Sequence, residues 1–597
     1  MGLKLIVDLV LLLAMLATTA VALAGWGNLT WRLLGIDLPN KPSVLTVWLG
    51  FCVVVGCLEI VHLFLPIAWQ LTFAVAIVGV LAQVCRAKLQ SAVDGCSVTE
   101  RQVSIGFLNL TINTLRRHPL HCAIAAIIIL VWCLRAMQTP TMYDSGLYHF
   151  GSIRWLNEYA IVPGLGNLHW RLALNQSYFG FLALLNIAPY WGRGYASGGL
   201  FLLLLTAFTL LEVGITRTAL WRWIFGGILF SYLCLLSGMI SNPLPDTAVT
   251  LLQIAIFIFL YCSLTIAAQS EPTSRDKLKR LQVVLVFLCL TIVTIKLSSL
   301  GFAGATVAIV FALMLRSSSE QLPLKFVLII VAVTGFVALV HVGRSYLLSG
   351  APFFPSPFGG VWSLPWAVEF GVAHNESQLI YAWAKQPGIM SPSEVPAGYA
   401  WLGPWLTALP STLKYLFVVS SFLFLVASIW RCFYSSHLTT RYLLLAVPIL
   451  AALGFWFFSA PDPRFLGATI VLYFVWSLWF FCISLTNLAQ RSGGGIAKAL
   501  TTFNYFSAIC VLLLFIRWSL GGLLLPTGWG ALPVAETTLQ ASLSGLKVFV
   551  PSNGSQCWNT ELPCAVLLHG GLLKVPLDQF GWLFSLQAQR FGFFIQR

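Results

Sequence analysis

Acidic side chains stand where long apolar runs of this sequence begin or end. Asp144 follows Tyr143 a few residues after one apolar run, and Asp246 closes the sequence Ser-Asn-Pro-Leu-Pro-Asp in front of another. A positioned carboxylate can take the proton of a hydroxyl group as a new bond forms, which typically contributes about 10²–10⁴-fold to a rate. Asp144 and Asp246 are therefore the candidate catalytic residues.

Cationic side chains occupy comparable places. Lys296 lies in Thr-Ile-Lys-Leu-Ser-Ser, Arg344 lies in Gly-Arg-Ser-Tyr, and Asp462 precedes Arg464 in Pro-Asp-Pro-Arg-Phe. Arg and Lys are the side chains that stabilise phosphate oxygens best. We expect Lys296, Arg344, Asp462 and Arg464 to bind substrate, together with His149, about one helical turn after Asp144.

Each of these residues also has a structural explanation. Asp144 and Asp246 could cap the helices that follow them. Lys296 could extend to lipid headgroups, and Arg344 and His149 could simply lie at the interface. Asp462 and Arg464 could form an internal ion pair. The sequence leaves both interpretations open for every candidate.

The composition indicates a polytopic membrane protein. Of 597 residues, 58% are hydrophobic and 9% are charged, which excludes a soluble domain, a disordered chain and a coiled coil. Apolar runs of about 20 residues recur throughout, each long enough to cross a bilayer. We predict an all-α fold with about 14 transmembrane helices, near 5–24, 44–64, 66–84, 120–138, 195–215, 223–240, 247–268, 281–296, 300–315, 325–343, 408–430, 442–459, 466–488 and 499–517.

The basic residues predict the orientation. One set of loops holds 19 of the 34 Lys and Arg residues and the alternate set holds seven, so the first set is expected in the cytoplasm. The outer side then holds loops 139–194 and 344–407, the C-terminal segment, the N-terminus and ten of the 19 acids. The net charge of +15 reflects this loop bias, and no nucleic-acid partner is expected.

The chain divides into three parts on this topology. Residues 1–119 form a three-span module, residues 120–517 form the transmembrane core, and residues 518–597 form an outer C-terminal segment. We expect a retained first helix rather than a cleaved signal peptide, because Asp8 interrupts the apolar stretch. Cys557 and Cys564 are predicted to form a disulfide on the outer side, the alternative being two free thiols.

The first outer loop is expected to contain two helices. Apolar residues recur at helical spacing over 146–160, and His149, Ser152, Asn157 and Glu158 occupy the other side, as in a helix lying flat at the membrane surface. The apolar stretch 176–190 is short for a span, and a crossing there would invert the count of basic residues. It is therefore predicted as a second interfacial helix.

A span, a carboxylate just outside it and two interfacial helices resemble the first external loop of the GT-C superfamily of membrane glycosyltransferases. The motifs YDSGLYH (143–149), PGLGN (163–167) and APDPRF (460–465) are similar to those of an uncharacterised group of bacterial membrane proteins associated with that superfamily. The architectural resemblance covers residues 120–465. The three spans before residue 120 depart from the simplest GT-C layout.

The resemblance implies an inverting glycosyltransferase on the outer face of a bacterial inner membrane. Its donor would be a polyprenyl-phosphate-linked sugar, its acceptor a glycan, lipid or protein, and Asp144 would be the catalytic base. No cofactor is required, although a divalent metal is compatible with Asp144 and Asp246 if they converge. Two alternatives remain, namely a transporter or flippase with ionisable residues deep in the membrane and a polysaccharide polymerase or ligase of another fold.

Overall fold

The chain is mostly helical, with short strands near its C-terminal end. The computed structural model describes residues 2–37, 43–93, 119–267, 272–316, 324–389, 391–433, 442–492, 513, 516–521, 526, 528–542, 545–568, 572–577 and 581–585. The predicted span 499–517 lies almost entirely outside these residues.

The first three helices pack with their backbones in close contact. They are α1 (Gly2–Leu33), α2 (Val44–Val61) and α3 (Trp69–Val93). A Cβ atom on Gly25 would lie 1.7 Å from the carbonyl oxygen of Gly79, and one on Gly50 would lie 1.8 Å from that of Leu23. Small residues permit such close approach between membrane helices, where packing drives association.

The first outer loop follows α4 (Pro119–Ala136) and contains the two expected helices. A π-helical turn, Ser145–His149, continues directly into α5 (Phe150–Glu158). After α6 (Leu165–Leu168) and a 3₁₀ turn, Trp170–Ala173, the chain forms α7 (Tyr178–Asn186). Both helices are shorter than the predicted stretches 146–160 and 176–190.

Most of the polar side of the first of these helices is buried inside the protein. His149, Ser152 and Asn157 are buried, and the Asn157 side-chain amide donates to the carbonyl oxygens of Ile67 (2.6 Å) and Ala183 (2.9 Å). Helix α5 packs on α7, and α7 packs on α2. Of the four polar residues only Glu158 is exposed, and backbone carbonyls supply the hydrogen-bond partners of the Asn157 amide.

The remaining helices form the core and the second large outer loop. Buried at the centre of the core is Pro245–Ile266, in which nearly every side chain is enclosed. In chain order the helices are α8 (Gly194–Ile215), α9 (Ala219–Trp221) with a π-helical turn Arg222–Gly227, α10 (Ile228–Leu236), α11 (Pro245–Ile266), α12 (Pro272–Ile295), α13 (Leu300–Arg316), α14 (Leu324–Ser349), α15 (Phe370–Lys385), α16 (Leu402–Ala408), α17 (Ser411–Phe433), α18 (Ala446–Ser459) and α19 (Thr469–Ser492).

The helical content and apolar helices agree with a membrane-embedded all-α protein. Among the described residues, nine helices are long and apolar enough to cross a membrane, and four shorter apolar helices accompany them. Each coincides with one of the predicted spans. Helix α2 also packs against α12 and α14, so the N-terminal helices and the core share a continuous interior.

Two long-range contacts lie at the ends of the membrane helices. The Asp8 carboxylate accepts a hydrogen bond from the backbone N–H of Trp529 (2.8 Å), which joins the start of α1 to the C-terminal segment. At the opposite ends of the helices, the Ser43 hydroxyl donates to Glu212 (2.9 Å). Each contact joins two segments that the distribution of basic residues assigns to the same side.

The C-terminal segment carries the strands. Strand β1 (Thr537–Ala541) pairs antiparallel with β2 (Lys547–Pro551), and β3 (Leu573–Leu577) pairs antiparallel with β4 (Gly581–Ser585). A disulfide joins Cys557 to Cys564.

The close glycine contacts yield a prediction about stability. Gly25→Ala places a methyl group against the Gly79 carbonyl and should separate α1 from α3, at a cost of about 1–3 kcal/mol. Thermal unfolding of the purified protein in detergent measures the change. Gly335→Ala is the matched control, since a Cβ there meets nothing within 4 Å. Equal unfolding temperatures for the two variants would contradict the close packing.

Candidate functional site

Charged side chains from separate parts of the chain converge beside the first outer loop. They include Asp144, Asp246, Lys296, Asp462 and Arg464 from the sequence analysis, to which the structure adds Arg171 and Glu376. We call these seven residues the outer charge cluster. Its ion pairs are Asp144–Arg171, Asp144–Arg464, Asp462–Arg464, Asp246–Lys296 and Glu376–Arg171.

Asp144 lies between two guanidinium groups. Its Oδ1 accepts from Nη1 of Arg171 at 3.3 Å and its Oδ2 accepts from Nη1 of Arg464 at 3.4 Å. The Asp144 side chain makes no capping hydrogen bond to the helix that follows. The capping explanation of Asp144 is therefore wrong, because the carboxylate is directed to the cations.

The backbone before the π-helical turn is fixed by Asn242. The side-chain oxygen of Asn242 accepts from the N–H groups of Thr141 and Met142, both at 3.0 Å. Asn242 precedes α11, which begins at Pro245 and carries Asp246 in its first turn. Asn242 thus links the segment before Asp144 to the segment before Asp246. Sequence analysis missed Asn242 because its role depends on this long-range contact.

Asp246 and Lys296 form an ion pair. Lys296 lies in an extended break between α12 and the 3₁₀ turn Leu297–Ser299, and its Nζ stands 4.4 Å from the centre of the Phe465 ring. The ammonium group therefore has a carboxylate and an aromatic face as partners, which accounts for its position without contact to lipid headgroups.

Aromatic side chains hold the turn that carries Asp462 and Arg464. The indole N–H of Trp456 donates to the carbonyl of Asp462 (2.7 Å), and that of Trp405 donates to the carbonyl of Pro461 (2.9 Å). The Asp462 carboxylate accepts from the backbone N–H of Arg464 at 2.8 Å. The Arg464 side chain is 53% exposed and that of Asp462 only 8%, so the buried acid orients an accessible cation.

The acids of the cluster stabilise the charged form of the Arg464 guanidinium. Burial acts to lower the pKa of this guanidinium, but Asp462, Asp144 and Asp246 act in the opposite direction and the net pKa is raised. Opposite charges nearby favour the charged form of a group. Arg464 is therefore a permanent cation with one side open to an anionic ligand.

Arg171 was not selected by sequence analysis, and Glu376 was only a weaker acid candidate of loop 344–407. Nε of Arg171 lies 3.7 Å from Oε1 of Glu376, so this guanidinium bridges Glu376 and Asp144. Burial raises the pKa of the Glu376 carboxyl, while Arg171 acts to lower it. Both residues belong to the few charged residues predicted on the outer side, which is the one signal available, but no spacing indicates that they meet.

Tyr148 makes a cation–π contact with Arg171, whose guanidinium carbon lies 5.9 Å from the centre of the Tyr148 ring. Burial raises the pKa of the Tyr148 hydroxyl, and Asp144 and Asp246 raise it further. The phenol is therefore neutral at physiological pH.

His149 lies inside the protein rather than in the site. Its side chain is 2% exposed and packs against the rings of Tyr148 and Phe179. Burial lowers the pKa of His149 to about 3, and Lys296 and Arg171 lower it in the same direction. His149 is therefore a neutral, buried packing residue, in contrast to the substrate-binding role that the sequence suggested.

Arg344 belongs to a different, buried network. Its Nη1 donates to the carbonyl of Glu59 (3.2 Å) and meets Nδ1 of His62 (2.9 Å), while its Nε donates to Asn175 (3.3 Å). His341 on the same helix lies 2.7 Å from the Glu59 carboxylate. Arg344 thus connects α14 to α2 and lies outside the outer charge cluster, with its donors directed to these internal partners.

The disulfide loop supports the π-helical turn. The backbone N–H of Trp558 donates to the carbonyl of Gly146 at 2.8 Å, and a Cβ on Gly146 would lie 2.5 Å from the Trp558 ring. Nη1 of Arg154 donates to the carbonyls of Asn559 (3.0 Å) and Thr560 (2.9 Å). The turn that follows Asp144 is therefore covered by the C-terminal segment.

The PGLGN motif receives strand β4. Gly164 has φ = 71°, a value that favours glycine, and a Cβ there would lie 2.1 Å from the carbonyl oxygen of Phe584. That same oxygen accepts from the Asn167 side chain at 3.2 Å, and the Phe584 N–H donates to Pro163 at 3.1 Å. This motif is a docking site within the chain.

No metal centre is evident in the described part of the chain, where no group of three or more His, Cys, Asp or Glu residues is placed to hold an ion. Asp144 and Asp246 are each engaged by a cationic side chain instead.

Glu376 should make stability depend on pH. Because the folded-state pKa of Glu376 is raised above its ordinary value of 4.5, the folded protein holds this proton more tightly than the unfolded chain. Stability should then fall as pH rises from 4.5 through the folded-state pKa. Melting temperatures in detergent between pH 4 and 8 should show this component in the wild type and not in Glu376→Gln. The control is Glu158→Gln, an exposed acid paired with Arg154. Identical pH profiles for wild type and Glu376→Gln would refute the assignment.

Loss of the disulfide should loosen the turn next to Asp144. The double variant Cys557→Ser, Cys564→Ser opens a short loop, which costs about 2 kcal/mol. Hydrogen exchange of peptides from 142–160 should accelerate, because Trp558 and Asn559 are freed from Gly146 and Arg154. Cys85→Ser, which changes an exposed free thiol, should leave this exchange unaltered. Unchanged protection in the double variant would show that the tail does not support the turn.

Comparison with known proteins identifies a family and gives no activity. A family model described as a domain of unknown function, DUF8201, matches residues 9–471, a range that includes the whole outer charge cluster. No curated protein and no solved structure matches the chain. Since the match covers well over half of its length, the chain belongs to the family defined by this domain of unknown function.

Proposed function

We propose that the protein is a GT-C-like membrane glycosyltransferase, which transfers a sugar from a polyprenyl-phosphate-linked donor to an acceptor on the outer face of a bacterial inner membrane. The observation that carries the proposal is the pairing of Asp144 with two guanidinium groups from distant segments. A carboxylate beside several cations matches a reaction that removes a proton and releases a phosphate.

Arg464 is the first candidate for the donor phosphate. Half of its side chain is exposed while Asp462 fixes its orientation. Arg171 donates to the Asp144 carboxylate, which also accepts from Arg464. Guanidinium groups bind phosphate through paired, charge-assisted hydrogen bonds, so these two residues offer a phosphate site at the mouth of the cluster, with Lys296 as a third cation nearby.

Asp144 is the candidate base. The acceptor oxygen would bond to the anomeric carbon as the bond from that carbon to the phosphate oxygen breaks, with inversion in a single displacement. The acceptor proton would pass to Asp144, and the departing lipid phosphate would keep the electron pair. An oxocarbenium-like transition state with a developing phosphate charge is stabilised by such preorganised cations.

Asp246 contributes through Lys296. The ion pair between them holds the ammonium group near the Phe465 ring and next to the turn that carries Arg464. Asp246 is thus a second acid of the proposed site, with the role of orienting a cation. The bilayer that surrounds the apolar helices would supply the lipid-linked donor from the side.

A second candidate function is transport of a lipid-linked or polar solute. The supporting observation is the buried group of Glu59, His341 and Arg344 on α2 and α14, two of the helices long enough to cross a membrane. Ionisable residues within membrane helices often mark ion or proton pathways. This group joins two helices, whereas the outer charge cluster joins the two large outer loops. Glycosyl transfer therefore remains the better supported function.

Turnover of polyprenyl-phosphate sugars by protein in nanodiscs tests the proposal. Asp144→Asn should lower kcat at least about 100-fold, the ordinary contribution of a positioned base, while donor binding persists. Arg464→Gln should weaken donor binding. The matched control is Glu158→Gln, an acid of the same loop that is paired with Arg154 outside the cluster.

Full turnover in Asp144→Asn would remove Asp144 from the chemistry. Failure of the wild-type protein to bind any carrier in a panel of sugars would reject the glycosyltransferase proposal, and uptake of a labelled lipid-linked sugar without transfer would favour transport.

A further inference from the structure

Lys385 is a buried cation without an acidic partner in the part of the chain that the structure describes. It is the last residue of α15, and 7% of it is exposed. Its Nζ lies 3.9 Å from the centre of the Tyr381 ring and 4.5 Å from that of Trp401. By contrast, Arg171, Lys296 and Arg464 each pair with a carboxylate.

The described structure offers the Lys385 ammonium group two aromatic faces but no full negative charge. Removing an ammonium group from water carries a large cost unless an opposite charge compensates it. Two aromatic faces recover part of that cost, and the partial negative charge at the end of a helix recovers a little more. Neither supplies a full negative charge, so an anionic ligand would complete the site.

The surroundings of Lys385 connect it to the outer charge cluster. Trp401 packs with Trp405 and Trp456 in one aromatic cluster, and the indoles of the latter two hold the turn of Asp462. Glu376 lies nine residues before Lys385 on the same helix, which corresponds to roughly 13 Å. Lys385 thus flanks the proposed site at a distance longer than one sugar unit.

We propose that Lys385 binds a negatively charged group, carboxylate or phosphate, on a glycan acceptor, in a subsite beside the proposed transfer site. The Tyr381 side chain is 38% exposed and offers an aromatic face next to the ammonium group, which suits a sugar ring with an acidic substituent. The identification of this ligand as an acceptor rests on the proposed glycosyl transfer. Binding of an acidic glycan at Lys385 is a separate claim.

Binding of oligosaccharides to the full-length protein in phosphatidylcholine nanodiscs tests the subsite without any donor. The probes are the trisaccharide of galacturonic acid and neutral maltotriose, followed by microscale thermophoresis. The wild type should bind the acidic probe and bind the neutral one at least tenfold more weakly. Lys385→Met should weaken binding of the acidic probe about tenfold or more, as expected for loss of a hydrogen bond to a charged group. Lys385→Arg should retain most of the affinity.

Lys414→Met is the matched control. Lys414 is a half-buried lysine of α17, and its ammonium group donates to the carbonyl of Leu406 at 3.1 Å. Its substitution should leave binding of the acidic probe unchanged. Lys385→Met should also melt at the same temperature as the wild type or higher, because an uncompensated buried charge has been removed. A purely structural lysine would instead lower the melting temperature when replaced.

Three outcomes would overturn the subsite. They are equal binding of the acidic probe by wild type and Lys385→Met, equal binding of both trisaccharides by the wild type, and displacement of the acidic probe when the nanodiscs contain phosphatidylglycerol, which would identify the occupant as a lipid headgroup. Absence of donor turnover together with Lys385-dependent binding of the acidic probe would reject the glycosyltransferase and keep the subsite.

Discussion

The outer charge cluster depends on the pairing of one carboxylate, Asp144, with Arg171 and Arg464. A charged group taken partly out of water loses hydration energy, and an opposite charge nearby offsets that loss. Asp144 satisfies this requirement with cations that stand 27 and 320 residues away in the chain. The first outer loop and the turn between α18 and α19 are therefore held at a fixed separation, and Glu376 draws α15 to the same place through Arg171.

Neutral groups give this pairing its geometry. Asn242 fixes the backbone before Asp144 through two N–H groups, and Trp405 and Trp456 fix the backbone around Asp462. These contacts are hydrogen bonds to main-chain atoms, so they orient the charged side chains without competing for their charges. The cluster can then hold several exposed polar atoms in place, which is the condition that preorganised stabilisation of a transition state requires.

The sequence was informative wherever one physical variable decided the outcome. Hydropathy located the membrane helices because a segment that crosses the bilayer must be apolar. The distribution of basic residues placed Asp144, Asp246, Lys296, Asp462 and Arg464 on one side, and the structure brings them together.

The sequence was not informative where the outcome depended on long-range contacts. His149 and Arg344 were predicted in the site because both are polar and near the outer side, yet burial made one a packing residue and the other a link between α2 and α14. Arg171 and Asn242 were not selected and Glu376 was only a weaker candidate, since nothing in their local sequence shows which distant segment they meet. The two hairpins of the C-terminal segment were likewise not predicted.

The charged residues of the cluster and the packing contacts of the C-terminal segment lie on different sides of the end of the family domain. All seven residues of the outer charge cluster lie within the matched range 9–471, and none comes from the C-terminal segment. That segment acts by other means, since it presents the Trp558 ring to Gly146 and the Phe584 carbonyl to Gly164, at distances that exclude any side chain on either glycine. Both glycines stand in the loop that supplies Asp144 and Arg171. The residues proposed for chemistry therefore all come from the family domain, whereas the loop that carries two of them is also packed by a segment beyond it.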